Sequence, residues 1–416
     1  MQQTSVPVVI IGAGPAGAGT SIYLSQAGIP HVIIEKETFP RDKVCGDAIS
    51  GKSAFVLRKA NPLWLQEVYQ QPENYTPAKG ILFVAPNGKP LSIPWGDKLK
   101  AGELAPGFTS PRLVFDNFLF QKIDRRFATV YQNSTVKNIE QHADGVRVIF
   151  EKDQQTYTVN ASVIVGADGD KSIVRKTFLN GHSSSKAYAV GLRAYYKGVK
   201  DLDKNNFIEL HFLPEVLPGY FWIFPLPNGM ANVGVGAPSE QIRQKKINLR
   251  EQMLKAIEKN PTISCRFQDA ELIGKIQGWG LPMGIKRQPV SGDHFILAGD
   301  AASIIDPFTG EGIGNALYSG MLAADAIQQA LKAKRFDASF FGQNYDDVLY
   351  RRLGDELRIS AALQRLCRYP WLFNFVVNKA HKSPSLSKTI SCMFTDMDVR
   401  NQLRKPSFYA KILLNK

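Results

Sequence analysis

The chain has 416 residues, 44% of them hydrophobic and 21% charged, which excludes a disordered protein and leaves room for two or three domains with their own cores. A formal net charge of +14 points to an anionic partner: a phosphorylated ligand, an acidic lipid surface or nucleic acid. That excess sits mainly at the end, where residues 331–416 carry 16 Lys/Arg against 7 Asp/Glu.

Cys45, Cys265, Cys367 and Cys392 are too widely separated for a zinc site or a disulfide framework, so a reducing, cytoplasmic setting and no metal are expected. The first residues run straight into VPVVIIG, which predicts no signal peptide. No apolar run reaches the roughly 18 to 20 residues needed to span a bilayer, so any membrane contact is expected to be peripheral.

Taken in chain order, residues 8–11 form a short apolar run of the kind buried on both faces of a parallel sheet. GAGPAG follows at 12–17, then a helical stretch to residue 26, then a second apolar strand at 31–34 ending in Glu35 and Lys36. Strand, glycine turn, helix, strand and acid together form a dinucleotide-binding unit. Gly12 permits the tight turn and Gly14 lets the backbone approach a pyrophosphate. Pro15 and Ala16 open the helix, Gly17 allows it to pack closely, and Glu35 accepts hydrogen bonds from ribose hydroxyls.

A loop at 36–51 contains FPRDKVCGD, and antiparallel sheet is expected around GILFVAPNGKPLSIP. A helix is predicted over 112–126, short strands over 128–166, and β hairpins over 188–284 interrupted by a helix near 239–259. The apolar run in HFILAGDAA precedes a helix over 310–330, and the basic remainder reads as helical and amphipathic. The expected fold is α/β. It comprises a Rossmann-like cofactor domain in three pieces (1–78, 112–186, 290–330), an antiparallel β-sheet substrate domain (79–111, 187–289) and a helical C-terminal region (331–416).

Two later stretches identify the cofactor. VGADGDKSIVR (165–175) and LAGDAASIIDPFTGEGIGNAL (297–317) resemble the Asp-Gly and Gly-Asp motifs of flavoproteins built like aromatic hydroxylases. The resemblance implies FAD. Gly299 and Asp300 would meet its ribityl chain or pyrophosphate, and Gly312 and Ile313 would offer amides near the flavin's pyrimidine edge, where helix-start N–H groups stabilise negative charge. Asp168 would brace the fold beside it. Arg112 reads either as a phosphate contact or as a solvated helix-start arginine.

Within that class, FPRDKVCGDAIS resembles the Lys-x-Cys-Gly loop of the geranylgeranyl reductases, and PGYFWIFP resembles their Tyr-x-Trp-x-Phe-Pro signature at Tyr220, Trp222, Phe224 and Pro225. DPFTGEGIGNALYSG also fits, and GWGLPMG is a weaker match. The resemblance covers residues 6–330. It departs at Asp47, where the family usually has a second glycine, which leaves chain length and head group open.

The resemblance implies saturation of isoprenoid double bonds by hydride from the flavin and a proton from the site. The substrate would be an isoprenoid lipid or prenyl diphosphate. The reductant would be NAD(P)H or another donor, such as a quinol or ferredoxin. Cys45, Tyr220 and Trp222 are the catalytic candidates, and Tyr220, Trp222, Phe224 and Pro225 the substrate-binding ones. Lys43, Cys45 and Gly46 would stand beside the cofactor. Cys45 also has a reading as a small buried loop residue, and Lys43 one as an exposed lysine. Period-two alternation puts Tyr220, Trp222 and Phe224 on one face, with Phe221 and Ile223 turned into the sheet core.

The rival reading is a flavin monooxygenase or halogenase acting on an aromatic or polyketide substrate. FWIFP only partly matches the halogenases' Trp-x-Trp-x-Ile-Pro, and Lys79 stands where a halogenase lysine would. Nucleic acid is not expected, because the basic residues form no recognition helix and are not interleaved with aromatics on a sheet. YPWLFNFVVNKAHK (369–382) and KPSFYAKILLNK (405–416) mix large apolar residues with lysines, as interfacial helices do.

Overall fold

The computed structural model describes residues 2–94, 105–179 and 187–383. The predicted interfacial segment 405–416 lies outside them.

Five parallel strands form the centre of the first sheet, in the order Phe295–Leu297, Gln155–Gly166, Gln2–Ile11, His31–Ile34, Ala128–Tyr131. Val8, Val9, Ile10, Val32, Val163 and Ile164 are fully buried in it, as their continuous apolar runs require. An antiparallel hairpin, Ser134–His142 with Gly145–Lys152, extends the sheet alongside Gln155–Gly166. The helices Pro15–Gln26 and Ile313–Ala333 enter the same core.

The second sheet has seven strands in the order Glu271–Pro282, Tyr188–Lys197, Met230–Pro238, Tyr220–Leu226, Ile208–His211, Gly80–Val84, Pro90–Pro94. Its two faces bury different sets of side chains. Phe221 and Ile223 join Val233, Val235 and Met253 of helix Leu249–Lys259 on one side. Trp222 and Phe224 join Phe83, Leu210, Phe212 and Val377 on the other.

Several elements differ from the sequence expectation. The helix expected over 239–259 is two helices, Ser239–Lys245 and Leu249–Lys259, because Lys246 turns left-handed (φ 52°) and Asn248 caps the second through the Glu251 amide. The helix starting at Arg112 stops at Gln121. Gly107–Thr109 pairs with Ala48–Ile49 and Thr76–Ala78 in a small third sheet, so it stands apart from the seven-stranded one with which it was grouped. The C-terminal region divides: Phe341, Tyr345, Leu349 and Leu353 pack into the first core, while Cys367, Val377 and Ala380 pack against the aromatic face of the second sheet. Among the described residues no helix is long and apolar enough to cross a membrane.

Candidate active site

The glycine turn joins the first parallel strand to its helix. Gly12 takes φ +96°, and a Cβ there would stand 2.4 Å from the Ala167 carbonyl oxygen, so a side chain is excluded by conformation and by space. The helix starts at Pro15 with no side-chain cap and no acid in its first turn. Glu35 is buried. Its Oε2 accepts the Ala13 amide at 2.6 Å and its Oε1 the Glu37 amide at 2.9 Å, so it fastens the turn and keeps lone pairs for a ribose. Lys36 is not brought to the turn: its side chain is 69% exposed and lies 3.6 Å from Glu37.

Above the turn stands an arginine pair. Arg112 is buried and bidentate to Asp116, at 2.7 and 2.8 Å, so the solvated alternative is excluded. Arg41 donates to the same carboxylate at 2.6 Å, and its Nη2 lies 3.5 Å from where a Gly14 Cβ would be. Two guanidiniums share one carboxylate, which leaves a net positive charge over an uncapped helix start. This donor set fits a pyrophosphate. Arg41 was missed in sequence because its partner is 75 residues away.

Gly299 and Asp300 stand at the other side of the turn, where a Gly299 Cβ would be 3.0 Å from Ala16 Cβ. Burial raises the Asp300 pKa, while Lys43 and Arg112 oppose the shift. Gly312 and Ile313 begin the long helix, and the Gly314 amide beyond them donates to Glu311 at 2.6 Å. Asp168 accepts the Ile173 amide at 2.7 Å and ties down the following helix, Ile173–Leu179, a bracing contact beside Gly12.

Lys43 places its ammonium 3.4 Å from the centre of the Trp279 ring, a cation–π contact reaching the GWGLPMG segment. Burial lowers its pKa to about 8, with Asp300 and Cys45 pulling the other way. Cys45 is shifted upward, chiefly by burial, against the pull of Arg112 and Lys43. It is therefore a proton-bearing thiol at neutral pH.

The aromatic strand meets this loop directly. The Trp222 indole lies over Gly234 and Gly236 of the adjacent strand and reaches Gly191 of the strand beyond it, and a Cβ at Gly234 would be 2.2 Å from both the ring and the Leu192 carbonyl oxygen. Phe224 reaches Gly46, with 3.0 Å between its ring and a Cβ built there. Tyr220 donates its hydroxyl to the Thr309 carbonyl, and burial raises its pKa, so it stays protonated. Pro225 falls on the opposite side by alternation, and its carbonyl accepts the Thr109 hydroxyl.

Two polar residues that sequence reasoning did not assign join the loop to the strand. Asn232 is fully buried. Its Oδ1 accepts Trp222 Nε1–H at 2.8 Å, and its Nδ2 donates to the Cys45 carbonyl at 3.0 Å and to Asp47 Oδ2 at 2.8 Å. A buried asparagine within the apolar run ANVGVG was the available signal.

Rings continue outward from there. Phe224, Trp222, Tyr220, Phe212 and Phe373 form a row with neighbouring centroids 4.5 to 6.1 Å apart. Phe373 lies on the helix Pro370–Lys382, whose outer face carries Trp371 at 69% and Phe375 at 39% exposure.

Residues 5–337 match the family model described as FAD binding domain. The digeranylgeranylglycerophospholipid reductase of Methanocaldococcus jannaschii is 30% identical over 403 residues, covering 92% of this chain and 96% of its own. A 1H-pyrrole-2-carbonyl-[peptidyl-carrier protein] brominase of Pseudoalteromonas luteoviolacea is 27% identical over 388 residues, covering 92% of this chain and 89% of its own. The crystal structure of a geranylgeranyl bacteriochlorophyll reductase-like protein from Thermoplasma acidophilum superposes with a TM-score of 0.79 at 22% identity, covering 96% of this chain and 99% of that one. The glycine turn, the paired arginines and these matches lead to one assignment: the chain belongs to the FAD-binding-domain family and is a geranylgeranyl reductase-like, FAD-dependent oxidoreductase.

Proposed function

We propose that the protein saturates double bonds of a geranylgeranyl or polyprenyl chain, with the seven-stranded sheet as the substrate side. The observation that carries this is the ring row from Phe224 to Phe373, a continuous apolar wall running from the Cys45 loop to the helix Pro370–Lys382.

Bound and reduced, FAD supplies the hydride equivalent. The turn at Gly12, Gly14, Pro15, Ala16 and Gly17, with Glu35, Arg41 and Arg112, would hold its ribose and pyrophosphate. Asp300 would meet the ribityl chain, and the Gly312 and Ile313 amides the pyrimidine edge. Lys43, fixed over Trp279, offsets negative charge beside Cys45 and Gly46. Tyr220, Trp222 and Phe224 exclude water, and their faces stabilise positive charge developing on an alkene during protonation. Re-reduction falls to NAD(P)H or to another donor, such as a quinol or ferredoxin.

The halogenase alternative is weakened by Lys79. Lys79 is exposed and its backbone amide donates to the Asn205 carbonyl at 3.2 Å, so it offers no buried ammonium.

The helix Pro370–Lys382 supports a peripheral membrane position. Phe373, Val377 and Ala380 face inward, while Trp371, Phe375 and Lys382 share the outer face and the Lys379 ammonium lies 5.2 Å from the Phe375 ring centre. Rings with adjacent cations suit an acidic bilayer surface.

The test is anaerobic: reduce the purified holoprotein with dithionite, add geranylgeranyl diphosphate or a menaquinone, and follow flavin reoxidation and lipid mass. A gain of two hydrogens per saturated bond is expected. Reoxidation by oxygen alone, with a hydroxylated or halogenated product, overturns the reading.

A further inference from the structure

Asp47 has no counterpart in the loop it resembles, and the structure gives it an unusual place. Its carboxyl is fully buried, with one oxygen on Asn232 Nδ2 at 2.8 Å and the other, Oδ1, without a hydrogen bond. The Tyr195 hydroxyl is also buried and unbonded by ordinary geometry, although it stands close enough to draw the Asp47 pKa down. Arg193 leaves its Nε unpartnered and gives Nη2 to Asp42 at 2.5 Å, and Asp42 is 40% exposed. A carboxyl, a phenol and a guanidinium thus gather behind Cys45 and lead to solvent at Asp42.

We propose that Asp47 is the proton reservoir of the active site, a positioning acid that refills the donor beside the alkene and so sets how fast one protonation can follow another. This rests on the reductase reading. In alkene saturation the π bond breaks, one carbon gains a hydride equivalent from the two-electron reduced flavin, and the other gains a proton. The group that gives up that proton is left with an extra negative charge in a dry site. Asp47 restores it: the carboxyl O–H bond breaks, the donor's bond to hydrogen reforms, and the carboxylate stays beside Arg193 and Asn232 until a proton arrives along the Asp42 side.

The groups around Asp47 keep such a proton available. Burial raises its pKa to about 6, opposed by Asn232, Tyr195, Arg193 and Arg112. Arg193 is paired with Asp42 and Arg112 is bidentate to Asp116, and burial outweighs the pull of both cations on the Asp47 carboxyl. On the loop itself, Lys43 and Cys45 stand towards Asp300, and Asp47 raises the Cys45 pKa. The same loop therefore carries both a thiol that holds its proton and an acid able to replace it.

The test compares wild type, Asp47→Asn and Asp47→Glu as dithionite-reduced holoproteins mixed anaerobically with geranylgeranyl diphosphate. Lipid saturation over many turnovers, with dithionite in excess, is expected in wild type to slow as pH rises through about 6. In Asp47→Asn it should be about a hundredfold slower below that pH and independent of pH, with FAD affinity unchanged. Asp47→Glu should recover part of the rate and the pH dependence. Infrared titration supplies a readout independent of turnover: a protonated-carboxyl band that disappears over the same pH range in wild type and is missing in Asp47→Asn.

An Asp47→Asn protein with the wild-type rate and profile overturns the proposal, as does wild type with no titrating carboxyl band, even if the variant fails to fold. A wild type that shows the band but is never reoxidised by the alkene overturns the reductase reading, and this role with it.

Discussion

The strand Tyr220–Leu226 presents two faces of similar composition and different construction. Phe221 and Ile223 are fully buried among Val233, Val235 and Met253; the polar residues beside them, Glu209, His211 and Arg266, bond to one another, and the His211 ring meets Phe221 edge-on at 6.1 Å. Tyr220, Trp222 and Phe224 are also largely covered, but the first two spend their polar atoms on Thr309 and Asn232, and Phe224 abuts Gly46. The first face is ordinary sandwich packing. The second ties a sheet to the loop that carries Cys45, so a displacement of either moves the other. Aromatic content alone does not separate the two; hydrogen bonds and the glycines beneath the rings do.

The comparison breaks or holds on substitutions. Phe221→Ala should cost about 3 to 5 kcal/mol of stability in chemical denaturation, with turnover per folded molecule unchanged. A large loss of turnover would mean the inner face is also part of the site.

Asp47, tied to the outer face through Asn232, should make wild type and Asp47→Asn diverge with pH. Its carboxyl is raised from 3.8 to about 6, so the folded state binds the proton more tightly than the unfolded chain. That stabilisation is complete below pH 4, the ordinary carboxylate range, and is lost as pH rises through about 6; it is on the order of 3 kcal/mol. Unfolding midpoints measured across that window should show wild type losing stability relative to the variant on the alkaline side.

Trp222→Phe keeps a ring but leaves Asn232 Oδ1 buried without its donor, a cost of about 1 to 3 kcal/mol. Unlike Phe221→Ala, it should also reduce turnover, because the Cys45 carbonyl shares that asparagine. The smallest effect is expected from Trp371→Ser on the outer helix: a change within about 0.5 kcal/mol in stability, together with weaker flotation on anionic vesicles. Undiminished flotation would remove that helix from the membrane reading.

Much of the cofactor end was legible because its constraints are local. A glycine that must take a positive φ, an uncapped helix start and an acid ending the second strand all lie within the first 35 residues. The aromatic strand was legible for a similar reason, since alternation separates Trp222 from Phe221 before any coordinates exist. The polar ties were not. Arg41 to Asp116 joins a loop to a helix, and Asn232 to Asp47 spans 185 residues, so neither pairing leaves a short-range pattern. Lys43 over Trp279 is of the same kind. The break at Lys246 was missed because a lysine in the left-handed region has no sequence signature comparable to glycine's.

The glycines under Trp222 have a consequence for how the sequence can vary. A methyl group at Gly191 or Gly236 would only touch the indole, at 3.7 and 3.6 Å, whereas anything longer would need the ring's volume. Positions 191, 222 and 236 are thus one steric unit. A double-mutant cycle between Trp222→Leu and Gly236→Val should show strong positive coupling, each change harmful alone and partly repaired by the other. Drift at these three sites would then be correlated, with a smaller residue at 222 opening the sheet surface to side chains.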